Sequence, residues 1–143
     1  KYEMCILDGT IDWNRLFTGA RVPLIFINPE GVSFSKVDKN VTTTEFTNEG
    51  TAPTFMILTA TATGDNPARI VNNNTGDEIT LEGLSEGQII ELNFEEESVK
   101  VDGALKMSTI WLDSDFWMVS HGENQIELSN LNLIDITYRE RWL

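Results

Sequence analysis

The side chains that could do chemistry are few. The chain has one histidine, His121, and one cysteine, Cys5. His121 sits in the turn-like run Ser120-His121-Gly122-Glu123-Asn124, far in sequence from Cys5, which lies in the strand-like Glu3-Met4-Cys5-Ile6-Leu7. A catalytic thiol needs a base beside it, so this spacing argues against nucleophilic catalysis. Cys5 reads as a small buried hydrophobe, and His121 as a turn residue, because one histidine without a cysteine cluster cannot build the usual zinc sets. Asp113-Ser114-Asp115 alternates carboxylates as a calcium loop does, but lacks the glycine and the bidentate glutamate that complete such a site. Glu95-Glu96-Glu97 reads as a solvated hairpin end. No catalytic residue, metal ligand or cofactor site is therefore assigned, and phosphate-binding glycine loops are absent.

One group of residues has ligand-binding chemistry. Trp111, Asp113, Asp115 and Trp117 combine two indole faces with hydrogen-bond acceptors, the ingredients of a saccharide site. The plainer reading is that large aromatics fill a core. A glycoside hydrolase would further need two carboxylates about 5–9.5 Å apart across a cleft, and no spacing here favours one.

The elements that must position these residues are strands. Apolar residues recur at every second position in residues 78–82, 88–94, 99–101, 126–128 and 134–138, with no stretch of helical periodicity. The best helical candidate, residues 12–17, is about one and a half turns. This alternation predicts that Ile79, Leu81, Ile90, Leu92, Phe94, Ile126, Leu128, Ile134 and Ile136 face inward. β-branched residues add strands within 41–46 and 59–63. Turn signals punctuate these runs at Asn48-Glu49-Gly50, Gly64-Asp65-Asn66-Pro67, Asn74-Thr75-Gly76-Asp77, Asp102-Gly103 and Ser120 to Asn124. Asp102-Gly103 has the chemistry of a type I′ hairpin turn. About eight strands between Val41 and Arg141 imply an all-β, two-sheet antiparallel sandwich. Residues 1–7 and 22–27 are further strand candidates, and the polar residues 33–40 read as a linker, with a domain boundary near Lys39.

Charge excludes whole classes of partner. Asp and Glu outnumber Lys and Arg by 23 to 10 over 143 residues, a net charge of −13. Such a field repels phosphate backbones, so nucleic acid is not an expected partner. Apolar runs such as Phe55-Met56-Ile57-Leu58 are far too short to insert in a membrane. The first residues show no secretory leader, and the start at Lys1 suggests a piece of a longer protein. A chain without a possible internal disulfide suits a reducing cytoplasm.

The order of short motifs resembles the siphophage-type distal tail proteins, which form the hub between tail tube and baseplate. Ile11-Asp12-Trp13 and Leu24-Ile25-Phe26-Ile27-Asn28-Pro29 resemble the end of that family's N-terminal domain. Asn48-Glu49-Gly50-Thr51-Ala52-Pro53 resembles the entry to its C-terminal domain. Asn66-Pro67 with Ile70, then Asn73-Asn74-Thr75-Gly76-Asp77-Glu78-Ile79, follow in order. Leu84, Gly87, Ile90 and Leu92 come next, then Val99-Lys100-Val101-Asp102-Gly103. Trp117 to Ile126 and the terminal Tyr138-Arg139-Glu140-Arg141-Trp142 complete the series. His121 stands where the family has proline and Asp102 where it has asparagine, both mild changes in turns.

The resemblance implies a C-terminal sandwich of galectin-like or carbohydrate-binding-module-like shape, over residues 40–143. Residues 1–39 then correspond to the end of a ring-forming N-terminal domain plus linker. It further implies a non-enzymatic structural protein of a phage or prophage tail tip, partnered by other tail and baseplate proteins. It would be hexameric in the virion and cytoplasmic during assembly. The chain alone is expected to be mainly monomeric, since ring closure needs the whole heterologous interface. The alternative function is a module that recognises host cell-wall saccharides through Trp111, Asp113, Asp115 and Trp117.

Overall fold

A computed structural model describes Ile6–Asp8, Ile25–Ile27 and residues 31–143. Cys5 and the helical candidate at 12–17 lie outside the described residues. Strands β1 (Ile6–Asp8) and β2 (Ile25–Ile27) pair antiparallel with each other.

The alternation in the sequence becomes two sheets. Strands β4 (Lys39–Val41), β6 (Met56–Ala62), β9 (Ile89–Asn93), β10 (Ser98–Val101), β11 (Ala104–Leu105) and β13 (Leu131–Tyr138) form one, in the order β11-β10-β9-β6-β13-β4. Strands β5 (Glu45–Asn48), β7 (Ala68–Asn72), β8 (Glu78–Leu81) and β12 (Gly122–Ser129) form the other, in the order β5-β12-β7-β8. All pairings are antiparallel. One apolar core joins the sheets: Met56, Leu58, Ile90, Leu92 and Ile136 from the first meet Ile70, Ile79, Leu81 and Ile126 from the second. This is the expected β-sandwich. The helical content of the described residues is a single 3₁₀ turn, Met107–Thr109.

Asp102 and Gly103 take φ of 52° and 80°, so both central residues of the β10–β11 turn lie at positive φ, as a type I′ turn requires. The Asp102 carboxylate also accepts from the Ile89 amide (3.0 Å) and from Gln88 Nε2 (3.1 Å), tying the turn to β9. Glu95, Glu96 and Glu97 form the exposed turn between β9 and β10, as read from their charge. Asn93 Oδ1 accepts from the amides of Glu95 and Glu96 and holds that turn in place.

Ile134 departs from the expected register. Of the nine predicted inward residues, Leu128 is partly buried against the core and seven are buried, but Ile134 is 42% exposed. The cause is a β-bulge: Leu133 pairs with Ala60 and Asp135 with Thr59, leaving Ile134 as an inserted residue. The bulge shifts the inward phase from Leu131 and Leu133 to Ile136 and Tyr138. A second departure concerns residues 33–40, read as linker. They contain β3 (Ser33–Phe34), which pairs with the terminal β14 (Arg141–Trp142), and the first residues of β4.

Tyr138 is buried, and its hydroxyl donates to the Thr47 carbonyl at 2.9 Å. Burial, reinforced by the charges of Glu140 and Glu49, pushes its pKa above the ordinary tyrosine value. The folded state therefore holds this proton more tightly than the unfolded chain does. That contribution to stability is complete below about pH 10 and is lost as pH rises through the higher folded pKa. Ultraviolet titration of folded and urea-unfolded protein should show one tyrosine ionising later in the fold. Coincident curves would contradict the burial of Tyr138.

Candidate functional site

The segment that carries the sequence-predicted residues lies along an edge. Strand β8 ends the four-stranded sheet, and its outer side would otherwise present unpaired amides and carbonyls. The chain after the 3₁₀ turn covers it. Glu82 N–H donates to the Thr109 carbonyl, Trp111 N–H to Thr80, and Asp115 N–H to Glu78, at 2.8, 3.0 and 3.0 Å. Ser114 Oγ accepts from the Thr80 amide at 3.0 Å. This path turns Asp113 and Asp115 outward and leaves Trp111 42% exposed.

Trp117 goes the other way. It is 7% exposed, and its ring meets Phe94 edge-on with centroids 4.8 Å apart. The two tryptophans of the saccharide candidate thus divide, one ring into the core and one outside. Among the described residues, no His, Cys, Asp and Glu side chains gather into a group able to hold a metal ion. His121 Nδ1–H donates to the Gly50 carbonyl at 2.8 Å.

That bond belongs to a corner which the sequence marked only as a turn. Asn48 has no exposed surface; its Oδ1 accepts from the Gly50 amide at 3.0 Å and its Nδ2 donates to the Ser120 carbonyl at 3.2 Å. Asn124 supports the same loop: its Nδ2 donates to Ser120 and Gly122 carbonyls, and its Oδ1 accepts from the Ser120 amide. Gly50 lies flat against the backbone of Arg141. Ala52 N–H donates to the Arg141 carbonyl (3.0 Å), Thr54 Oγ1 to the Arg139 carbonyl (2.6 Å), and Thr54 and Val119 exchange backbone bonds of 2.7 and 3.0 Å. Three distant stretches, residues 48–54, 119–124 and 139–143, are locked together. Polar side chains dominate the corner because its backbone groups are buried and must be paired. Asn48→Ala should cost about 2 kcal/mol, since it leaves the buried Gly50 amide without its partner and the Ser120 carbonyl with Asn124 alone. Urea unfolding measures this; a change below about 0.5 kcal/mol would show the loop does not depend on Asn48.

Grooves cross the surface of the described residues. One of about 740 Å³ lies where β3 and β14 meet the end of the six-stranded sheet, and Phe34, Phe55, Asn93, Tyr138, Arg139 and Arg141 line part of it. Arg139 Nε is 2.6 Å from Asp38 Oδ1, and the Arg141 guanidinium stands 5.3 Å from the Phe34 ring centroid. A second, of about 480 Å³, includes Glu45, Asn74, Glu123 and Gln125. Its amides bind one another's strands: Gln125 Nε2 donates to Glu45, and Asn74 Nδ2 to the Glu123 carbonyl. A third, of about 550 Å³, lies along β12 and the start of β13. None of the three is lined by Trp111, Asp113, Asp115 or Trp117.

Comparison with known proteins identifies what the corner and sandwich belong to. A family described as the siphovirus-type tail component, C-terminal domain, matches residues 49–142. This chain belongs to that family. The match to the siphovirus-type tail component runs from the Gly50 corner to the terminal strand β14, and so spans the locked stretches at both ends. The crystal structure of the Dit protein of phage SPP1 has a similar fold, with a TM-score of 0.66 and 15% sequence identity. That protein is described as a paradigm of the hub adsorption apparatus in phages infecting Gram-positive bacteria. The likeness covers 84% of this chain and 52% of the SPP1 protein, so this chain spans about half the length of that relative. No curated protein sequence matches the chain.

Proposed function

We propose that this chain is part of a phage tail-tip hub, joining the tail tube to the baseplate or receptor-binding apparatus. The family match over residues 49–142, which takes in the sandwich from β6 onward, carries this reading. In it, residues 40–143 form the C-terminal sandwich domain, and residues 1–39 are the end of the N-terminal domain that builds a hexameric ring in the virion, plus a linker. The partners are other tail and baseplate proteins, and the protein passes through the bacterial cytoplasm during assembly. It performs no catalysis. Immunogold labelling of virions should place the chain at the tail end; label along the tube or on the head would refute the hub role.

The net charge of −13 acts against self-association where the ring interface is incomplete. The chain of 143 residues should therefore sediment mainly as a monomer at micromolar concentration and moderate salt. A stable hexamer would instead move the ring contacts into these residues. The saccharide reading finds less support, because the enclosed Trp117 ring leaves Trp111 as the aromatic face beside Asp113 and Asp115.

A further inference from the structure

Strand β13 is covered unevenly. On one side β6 pairs with it from Leu131 to Tyr138. On the other, β4 reaches only Ile136, Thr137 and Tyr138, so residues 131–135 have no strand against that edge among the described residues. Strand β12 is left short in the same place. Strand β5 pairs with Gly122 to Gln125, and the ladder's last bond runs from Ile126 N–H to the Thr44 carbonyl. Both gaps have one cause: residues 42–44 carry the chain from one sheet to the other between β4 and β5. The groove of about 550 Å³ lies in this gap, lined in part by Thr44, Glu127, Leu128, Leu131 and Leu133.

An open edge of this kind is normally guarded by proline, lysine or a bulge. Residues 131–135 contain no proline and no lysine; the guards present are the bulge at Ile134 and Asp135, whose Oδ2 accepts from Asn40 Nδ2 at 3.2 Å. The bulge also leaves Ile134 42% exposed on the same strand. The charged residues that line this groove and its neighbour are Glu45, Glu123 and Glu127, all acidic, and Asp135 lies on the open strand itself.

We propose that this edge of β13 receives an extended cationic segment of another protein as an added strand. The open stretch accommodates about five residues, an ordinary strand length. Strand addition draws affinity from main-chain bonds and specificity from alternate side chains. Here the apolar side chains of the segment would enter the groove beside Leu128 and Leu133, and its Lys or Arg would face Glu127 and Asp135. A second copy of this chain is a poor occupant, because each carries −13. The inference rests on the strand edges and stands apart from the hub reading.

The probe is a short peptide of alternating valine and lysine, added to the whole chain at low salt. The expected result is slowed amide exchange within residues 131–135, with millimolar or tighter affinity. Methylating alternate peptide nitrogens should weaken binding by about tenfold or more, as should the Glu127→Lys variant, which alters one exposed side chain. A valine–glutamate peptide should not bind. Failure of the lysine peptide to protect these amides at millimolar concentration overturns the proposal. Indifference to nitrogen methylation overturns strand addition, and equal binding of the glutamate peptide overturns the cationic partner. Concentration-dependent protection without peptide would assign the edge to self-association instead.

Discussion

Gly50→Ala should destabilise the domain by about 3 kcal/mol, at the upper end of what overpacking costs. A Cβ at this position would lie 2.8 Å from the Arg141 nitrogen and closer still to the Arg141 carbonyl oxygen. Both obstacles are backbone, and the Arg141 carbonyl is already bonded to Ala52. The strand end must therefore move, taking with it the pairing of β14 with β3. Gly50 is not at positive φ, so the cost is steric and not conformational. Gly76→Ala is the useful contrast. That glycine has φ of 86° and open space where a Cβ would go, so it meets backbone strain alone, about 1–2 kcal/mol. Urea midpoints at constant m would rank the two. If Gly50→Ala proved the milder change, the close approach of residues 50 and 141 would be wrong.

Phe94→Ala should be costlier still, about 3–5 kcal/mol. Phe94 is 1% exposed, and its ring meets Phe116 at 5.4 Å and Trp117 at 4.8 Å, both edge-on. Truncation loses the burial of the ring, opens a cavity, and removes two aromatic pairs worth about 0.5–1.5 kcal/mol each. The backbone at residue 94 cannot shift to close the gap, because Phe94 N–H is bonded to the Met56 carbonyl at 3.0 Å. Ile134→Ala is the control: it removes a comparable apolar side chain from a strand, yet should cost no more than about 0.5 kcal/mol because the bulge has already put it outside. Chemical unfolding of both variants tests the register directly. Similar losses at the two positions would mean that Ile134 faces the core.

Most strands, their inward faces and most turns were legible in the residues because they depend on short-range rules. The run expected as strand at 41–46, however, spans the crossover between β4 and β5. A side chain two residues along a strand returns to the same face, so Ile90, Leu92 and Phe94 announce a buried row without any partner being known. Asp102-Gly103 announces its turn because positive φ is a property of the residue itself. The ordered motifs likewise carried the family, since turn chemistry and spacing are read along the chain. The bulge at Ile134 was not legible. Leu133, Ile134 and Ile136 are all apolar, and only the ladder with β6 decides which of them is the inserted residue. Trp111 and Trp117 are the same residue type six positions apart, and their opposite fates follow from the cover that residues 109–115 place over β8 and from the ring of Phe94. Gly50 looked like any turn glycine. Its role comes from a backbone contact with a residue ninety-one positions later, which local propensity cannot encode. The open edge of β13 is of the same kind, because whether a strand has a neighbour is a property of where another segment stops.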